Sequence, residues 1–237
     1  MKAKKDLALY GVKAMLPIIP GLIPFGVIMG STAATNGLSF FETMGLNTVV
    51  FAGASQLASL DLMGKNSESL IIILTGLIIN LRFALYSAAS SPYFKKLPNL
   101  FKLMMSYLLT DQSYAVMTTH EDEFSSKNDV IYFCVGASLF MAVCWHLCVV
   151  LGFVFGNIVP SEISLDFAVP LSFMALTIPT LRSAKHIAVA CISMVLSICF
   201  YKLPFNLGLI VTVAICIIVA SIFINKDPKQ KSEVVDG

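Results

Sequence analysis

Long apolar runs separated by short polar clusters make up nearly the whole chain. Eight runs can be marked: 14–34, 46–63, 70–90, 103–119, 130–156, 167–181, 186–201 and 204–224. A helix needs about 20 mostly apolar residues to cross the hydrocarbon core of a bilayer. Charges collect between the runs: Lys2, Lys4, Lys5, Asp6 and Lys13 at the start, Lys95, Lys96 and Lys102 in one loop, and Glu121, Asp122, Glu123, Lys127 and Asp129 in another. A further group runs from Lys226 to Asp236. The pattern predicts an all-α polytopic membrane protein, with one transmembrane domain over 1–225 and a disordered cytoplasmic tail at 226–237.

Composition strengthens this. Of the 237 residues, 57% are hydrophobic and 13% charged, and the mean hydropathy is +0.83. A soluble chain carries about 25% charged residues, so this one has too few to coat a surface in water. The net charge of +2 comes from scattered lysines with no basic stripe, which excludes nucleic acid as the expected partner. Six cysteines (Cys134, Cys144, Cys148, Cys191, Cys199 and Cys216) all sit in apolar runs, where a thiol acts as a small hydrophobe. Cys144, His146 and Cys148 alternate along one run, and a helix would spread them around its axis, so neither a metal nor a cofactor is expected. At the start, lysines precede Leu16–Met29 and Ser31-Thr32-Ala33 imitates a cleavage site. Pro17, Pro20 and Pro24 interrupt the run, so a retained first helix is expected.

Eight straight crossings from a cytoplasmic N-terminus would put Lys95, Lys96 and Lys102 outside, against the rule that lysine and arginine stay cytoplasmic. The short, polar 46–63, with Gly45, Gly53, Ser55, Gln56, Ser59 and Asp61, is better read as re-entering without crossing. The loop 91–102 then falls inside and the acidic loop 120–129 outside. The same treatment of 167–181, bracketed by Pro170 and Pro179, brings Arg182 and Lys185 inside. The expectation is about six full crossings plus two short broken or re-entrant segments, with both termini cytoplasmic. Broken segments in matching places of two halves suggest an inverted repeat with a binding site between the breaks.

Four polar features stand out. Pro20, Gly21, Pro24 and Gly26 lie in a first helix with three prolines in eight residues, which predicts an unwound or sharply kinked helix with free carbonyls. A kinked packing helix with a small face at Gly26 and Gly30 explains them equally well. Ser55 and Gln56 lie deep in an apolar run, as solute contacts or as an interhelical hydrogen bond. Asn80 and Arg82 lie within 70–90. An intramembrane arginine costs at least about 2.5 kcal/mol on insertion scales and so marks an internal site, unless it snorkels to the headgroups. Its planar fork suits a carboxylate. Asp111, near the middle of 103–119, is a partner for Arg82 or a proton carrier. His146 is the other proton candidate, against a hydrogen-bonded structural role.

These residues resemble the AzlC/BrnF family, the large subunit of bacterial branched-chain amino acid exporters. The resemblance rests on Pro20-Gly21 with Pro24-Phe25-Gly26, on Phe51-Ala52-Gly53-Ala54-Ser55-Gln56, on Asn80-Leu81-Arg82 with Leu85-Tyr86-Ser87, and on Leu109-Thr110-Asp111-Gln112. Weaker echoes are Leu165-Asp166-Phe167-Ala168 and Phe173-Met174-Ala175-Leu176, so about 11–225 is covered. Phe83 stands where the family often has histidine, and Gln112 where glutamate is common. The resemblance implies proton-driven export of small aliphatic amino acids across a bacterial inner membrane, with a small AzlD/BrnE-like membrane subunit as partner. Two other classes fit less well. A channel would want a continuous polar stripe, and an intramembrane enzyme a nucleophile–base pair or metal ligands at helical spacing. Neither pattern occurs in the sequence, so the chain is expected not to be an enzyme.

Overall fold

The computed structural model describes residues 4–95, 97–124, 126–155, 174, 181, 183–202 and 207–225. Among them the regular structure is helical throughout, as the apolar runs require. The chain divides into two compact units, Met1–Leu176 and Thr177–Gly237. The break expected at 167–181 lies outside the described residues apart from Met174 and Leu181, and so does the tail at 226–237. Three stretches are long and apolar enough to cross a membrane: Lys4–Thr35, Ser69–Phe94 and Asn128–Phe155, with shorter apolar helices at Ala184–Phe200 and Val211–Ile222. This is an all-α membrane protein.

The first stretch is α1 (Lys4–Met15), one 3-10 turn (Leu16–Ile18) and α2 (Ile19–Thr35). Its prolines do less than the sequence implied. Pro17 lies within the 3-10 turn and Pro20 in the first turn of α2, positions that tolerate a missing N–H better than a helix interior does. Only Pro24 is inside the helix. Unwinding is therefore confined to one tightened turn, and the expected gross break is corrected to that.

This stretch packs along α8 (Lys127–Phe155) through glycines. A Cβ on Gly26 would come within 2.6 Å of the Cys148 Cβ, one on Gly30 would strike the Val149 carbonyl, and one on Gly152 the Val27 carbonyl. Lower down, Gly11 meets Phe133 and Gly136 meets Ala8. The contacts climb both helices together, so the two run parallel.

Between them the chain forms two hairpins. The first is α3 (Phe40–Val50) and α4 (Gly53–Gly64). It opens on a capping box, Ser39 with Glu42, and turns at Phe51, whose φ of 42° is left-handed. Its far end returns to its start. The Asn36 amide donates to the Leu60 carbonyl at 2.6 Å, and Asn36 also lies against Gly64. Gln56 Nε2 donates to the Leu46 carbonyl at 3.2 Å, ten residues back. A straight helix would separate those positions by about 15 Å. The segment enters and leaves at the Asn36 end of the unit, as expected for 46–63.

Next, α5 (Ser69–Phe94), about 39 Å long at helical rise, carries the chain to the Lys4 end. There α6 (Asn99–Tyr107) and α7 (Asp111–His120) form the second hairpin. Its tip reaches the first hairpin, with the Tyr107 hydroxyl donating to the Thr48 carbonyl at 2.6 Å. Its exit returns to α1, where the His120 and Tyr10 rings meet edge-on at 5.9 Å and the Tyr10 hydroxyl donates to Glu123 at 2.6 Å. The segment 103–119, read from sequence as one crossing, is thus divided at 108–110 and doubles back. The acidic loop lies at the Lys4 end and not opposite it. The physical reason is that aspartate and glutamate carry little topological weight, so the acidic loop was a poor guide to sidedness.

In the second unit, α9 (Ala184–Phe200), capped by the Ser183 side chain, packs on α10 (Leu207–Asn225). A Cβ on Gly208 would strike the Phe200 carbonyl.

Candidate functional site

Two hairpins entering from opposite ends meet at their tips, and a cleft opens where they meet. Phe51, Ala52, Gly53 and Ala54 line it from the first tip; Thr110, Asp111 and Gln112 from the second. Arg82 and Phe83 of α5 form another wall, and Leu22, Phe25, Met141 and Trp145 an apolar one. The cleft holds about 350 Å³ of empty space including its mouth. The room left for the centres of water molecules is about 20 Å³, enough for one or two waters.

At its centre Arg82 Nη1 lies 2.8 Å from Asp111 Oδ2, with side chains 25% and 12% exposed. The contact is single. Arg82 Nε and Asp111 Oδ1 are both buried and make no hydrogen bond among the described residues, although the Tyr86 hydroxyl also lies against the Asp111 carboxylate. One turn further along each helix, the Tyr86 and Tyr114 rings stack at 4.6 Å. Ion pair and stack together fasten α5 to α7.

Both half-helices that follow the breaks, α4 and α7, present their N-terminal ends to the cleft, where a helix carries partial positive charge. They differ in one respect. The Thr110 side chain caps α7, accepting from the Ser113 N–H at 3.3 Å, and Ser113 Oγ accepts from the Thr110 N–H at 2.7 Å. The N-terminus of α4 follows Ala52 and has no side-chain cap. Its first N–H groups stay available to an anion.

Of the sequence candidates, the structure brings Arg82 and Asp111 to the cleft. Gln56 and Ser55 are fully buried but face the hairpin's interior. Ser55 Oγ donates to the Ala52 carbonyl at 2.9 Å. Gln56 Nε2 also lies 3.3 Å from Asn47 Oδ1, which accepts from Trp145 Nε1 at 2.7 Å. Both residues shape the tip of the first hairpin, the interhelical reading of the sequence. Asn80 Oδ1 is buried without a partner, away from the cleft wall. Pro20 is exposed and Gly21 and Pro24 half-buried, while Gly26 packs on Cys148; none of the four lines the cleft. His146 also stands off the wall. Its Nδ1–H donates to the Ala142 carbonyl at 2.8 Å, and its ring stacks on Phe51 at 5.6 Å.

Trp145 lines the cleft without having been a sequence candidate, and Thr110 and the backbone of Ala52–Ala54 line it although the sequence assigned a role only to their neighbours Asp111, Ser55 and Gln56. Ala52-Gly53-Ala54 did carry a signal, since small side chains leave backbone N–H groups bare. The lone tryptophan, inside an apolar run, carried none.

The family model described as "AzlC protein" matches residues 17–159, a stretch containing both hairpins and the ion pair. The chain belongs to the AzlC family. An "Uncharacterized membrane protein" of Archaeoglobus fulgidus is 28% identical to this AzlC-family chain over 197 residues, 81% of this chain and 84% of that protein. "Inner membrane protein YgaZ" of Escherichia coli is 28% identical over 109 residues, covering 46% of this chain and 44% of that protein. No solved structure matches. Phe83 and Gln112 also line the cleft.

Proposed function

We propose that this chain is the large subunit of a two-component permease that exports small aliphatic amino acids, branched-chain ones among them, with a proton driving the export. In this reading it is a transporter and not an enzyme. It sits in the cytoplasmic membrane with both termini cytoplasmic, beside a small AzlD/BrnE-like partner. The observation that carries the proposal is the Arg82–Asp111 pair at the meeting of the two hairpin tips, with one donor and one acceptor left over inside the protein.

A zwitterion supplies the two missing partners. Its carboxylate accepts from Arg82 Nε and from the bare N-terminus of α4, and its ammonium donates to Asp111 Oδ1. Buried polar groups need partners at a cost of about 2–7 kcal/mol each, so such a site favours a ligand carrying both charges over one carrying either alone. The aliphatic side chain then lies against Leu22, Phe25, Met141 and Trp145. The water-sized room inside the cleft fits a closed, empty site, and admission of substrate requires the hairpin tips to part, first towards one end and then the other. Asp111 is the one carboxylate at the wall among the described residues and the proposed proton carrier.

Proteoliposomes holding the full chain with and without its small partner, loaded with labelled amino acids, test the proposal. Efflux of leucine, isoleucine or valine that needs the partner and rises with an imposed proton gradient is the expected result. Efflux of none of them, with the protein folded and the partner present, overturns it.

A further inference from the structure

We infer that a second cavity, at the Lys4 end of the first unit, binds the phosphate of an anionic lipid headgroup. The cavity lies between the last turns of α5 and the length of α6, and its residues repeat at helical spacing on both. Ser87, Ser90, Ser91 and Phe94 form one face of α5; Lys102, Met105 and Ser106 form one face of α6, with Leu109 just beyond its end. Lys95, just past α5, completes the rim. Positions i, i+3, i+4 and i+7 lie on one side of a helix, so two matching faces look at each other across the gap. That gap leaves about 240 Å³ for the centres of water molecules, far more than the central cleft.

Its chemistry is one-signed. Two lysines and four serines contribute polar atoms, and among the described residues no aspartate or glutamate lines the cavity. Ser90 is completely buried and its Oγ has no partner in the protein. A buried hydroxyl without a partner is costly to keep, and here it faces a space wide enough for a ligand oxygen. A phosphate offers several acceptor oxygens and net negative charge, and the serine hydroxyls and two ammonium groups are all donors to it. A zwitterionic amino acid fits poorly, because its own ammonium would face both lysines with no carboxylate to meet it. The remaining walls, Phe94, Met105 and Leu109, suit an alkyl chain. That points to a lipid over free phosphate, and basic pockets between membrane helices are known headgroup sites. The inference does not depend on the transport reading.

The test uses the full chain, purified in a neutral detergent and delipidated. Short-chain phosphatidylglycerol, short-chain phosphatidylcholine and inorganic phosphate are titrated at constant ionic strength, with bound lipid counted by native mass spectrometry and thermal unfolding followed in parallel. Phosphatidylglycerol is expected to bind and stabilise, and phosphatidylcholine not to. Lys95→Gln with Lys102→Gln should weaken phosphatidylglycerol binding about thirtyfold, each surface lysine being worth about fivefold. Lys5→Gln with Lys13→Gln, the same charge removed elsewhere, should leave it unchanged. Ser90→Ala should weaken binding while leaving the lipid-free protein as stable or more so, which a packing role for Ser90 would not produce. Equal binding by wild type and the Lys95/Lys102 variant overturns the inference, as does equal loss in the Lys5/Lys13 variant. Lysine-dependent binding of inorganic phosphate without lipid binding would keep the phosphate site and overturn its lipid source.

Discussion

Arg82 and Asp111 touch through one pair of atoms, Nη1 and Oδ2 at 2.8 Å, and each holds a second polar atom buried and unused. A purely structural ion pair would be expected to close both contacts, since the arginine fork matches a carboxylate in two places. Arg82→Lys should keep the fold and weaken transport, because an ammonium cannot serve two carboxylates in a planar fork. Arg82→Ala should abolish transport and cost about 3 kcal/mol, the scale for stranding one member of a buried pair. Arg82→Met with Asp111→Leu should recover stability, measured by unfolding in detergent, without recovering transport. Normal export by Arg82→Ala would remove the pair from the mechanism.

Asp111→Asn separates the proton from the substrate. With the proton carried by Asp111, the variant should still exchange internal for external amino acid and lose gradient-driven efflux. Loss of both would make Asp111 a partner of Arg82 only.

Phe83 and Gln112 share the wall of the cleft with the ion pair. Gln112→Glu adds a carboxylate there and should change the pH dependence of efflux. Phe83→His replaces an apolar ring with one that titrates near neutrality and should shift preference away from aliphatic substrates. Competition assays with a panel of unlabelled amino acids read both effects. An unchanged preference profile in Phe83→His would place position 83 outside substrate recognition.

The relation of Asn36 to Leu60 and of Tyr10 to Glu123 makes a prediction about sidedness. In a cysteine-free background, Lys95→Cys and Ser126→Cys should react with an impermeant thiol reagent from the same side, and Glu68→Cys from the opposite one. Labelling of positions 95 and 126 from different sides would mean that α6 and α7 cross the membrane.

Much of this arrangement was legible in the sequence, and the limits have physical causes. The apolar runs gave the class and the long helices. Gly53, Ser55 and Gln56 marked the first hairpin because polar groups at that depth need cover. The second hairpin was hidden. Its break at Leu108-Leu109-Thr110 has neither glycine nor proline, and the turn is held by Thr110 and Ser113 bonding each other. Hydropathy cannot see such a local bond. The positions of Arg82 and Asp111 inside the runs offered them as partners, with a proton role for Asp111 as the alternative, since few charges lie there. The role of Gln56 could not, because its acceptors are a backbone carbonyl and Asn47.

The parallel packing of α2 on α8 can be tested without reference to transport. Gly30 has no room for a methyl group against the Val149 carbonyl, whereas nothing lies within 4 Å of a Cβ on Gly45. Gly30→Ala should sharply reduce the yield of folded protein, while Gly45→Ala should leave it unchanged or raise it by the usual helical preference for alanine. Equal yields would mean the two helices are not in close contact.

Phe51 makes a prediction about the order of two substitutions. It turns the first hairpin in a left-handed conformation, φ 42°, where a residue with a Cβ is disfavoured by roughly 1–2 kcal/mol and glycine is the usual choice. The ring is what holds it there. It is 5% exposed and is stacked between Tyr107 at 5.1 Å and His146 at 5.6 Å, joining the second hairpin and α8 to the first tip. Phe51→Ala loses the ring, at about 3–5 kcal/mol for a buried phenylalanine, and keeps the strained backbone. Phe51→Gly loses the same ring and releases the strain. In a helix, alanine is the more stable of the two by about 1 kcal/mol. At this turn the order should invert, with Phe51→Gly unfolding later than Phe51→Ala by a similar margin and both well before wild type. Alanine outlasting glycine would show that the chain does not turn at Phe51, and the meeting of the two hairpin tips would fall with it.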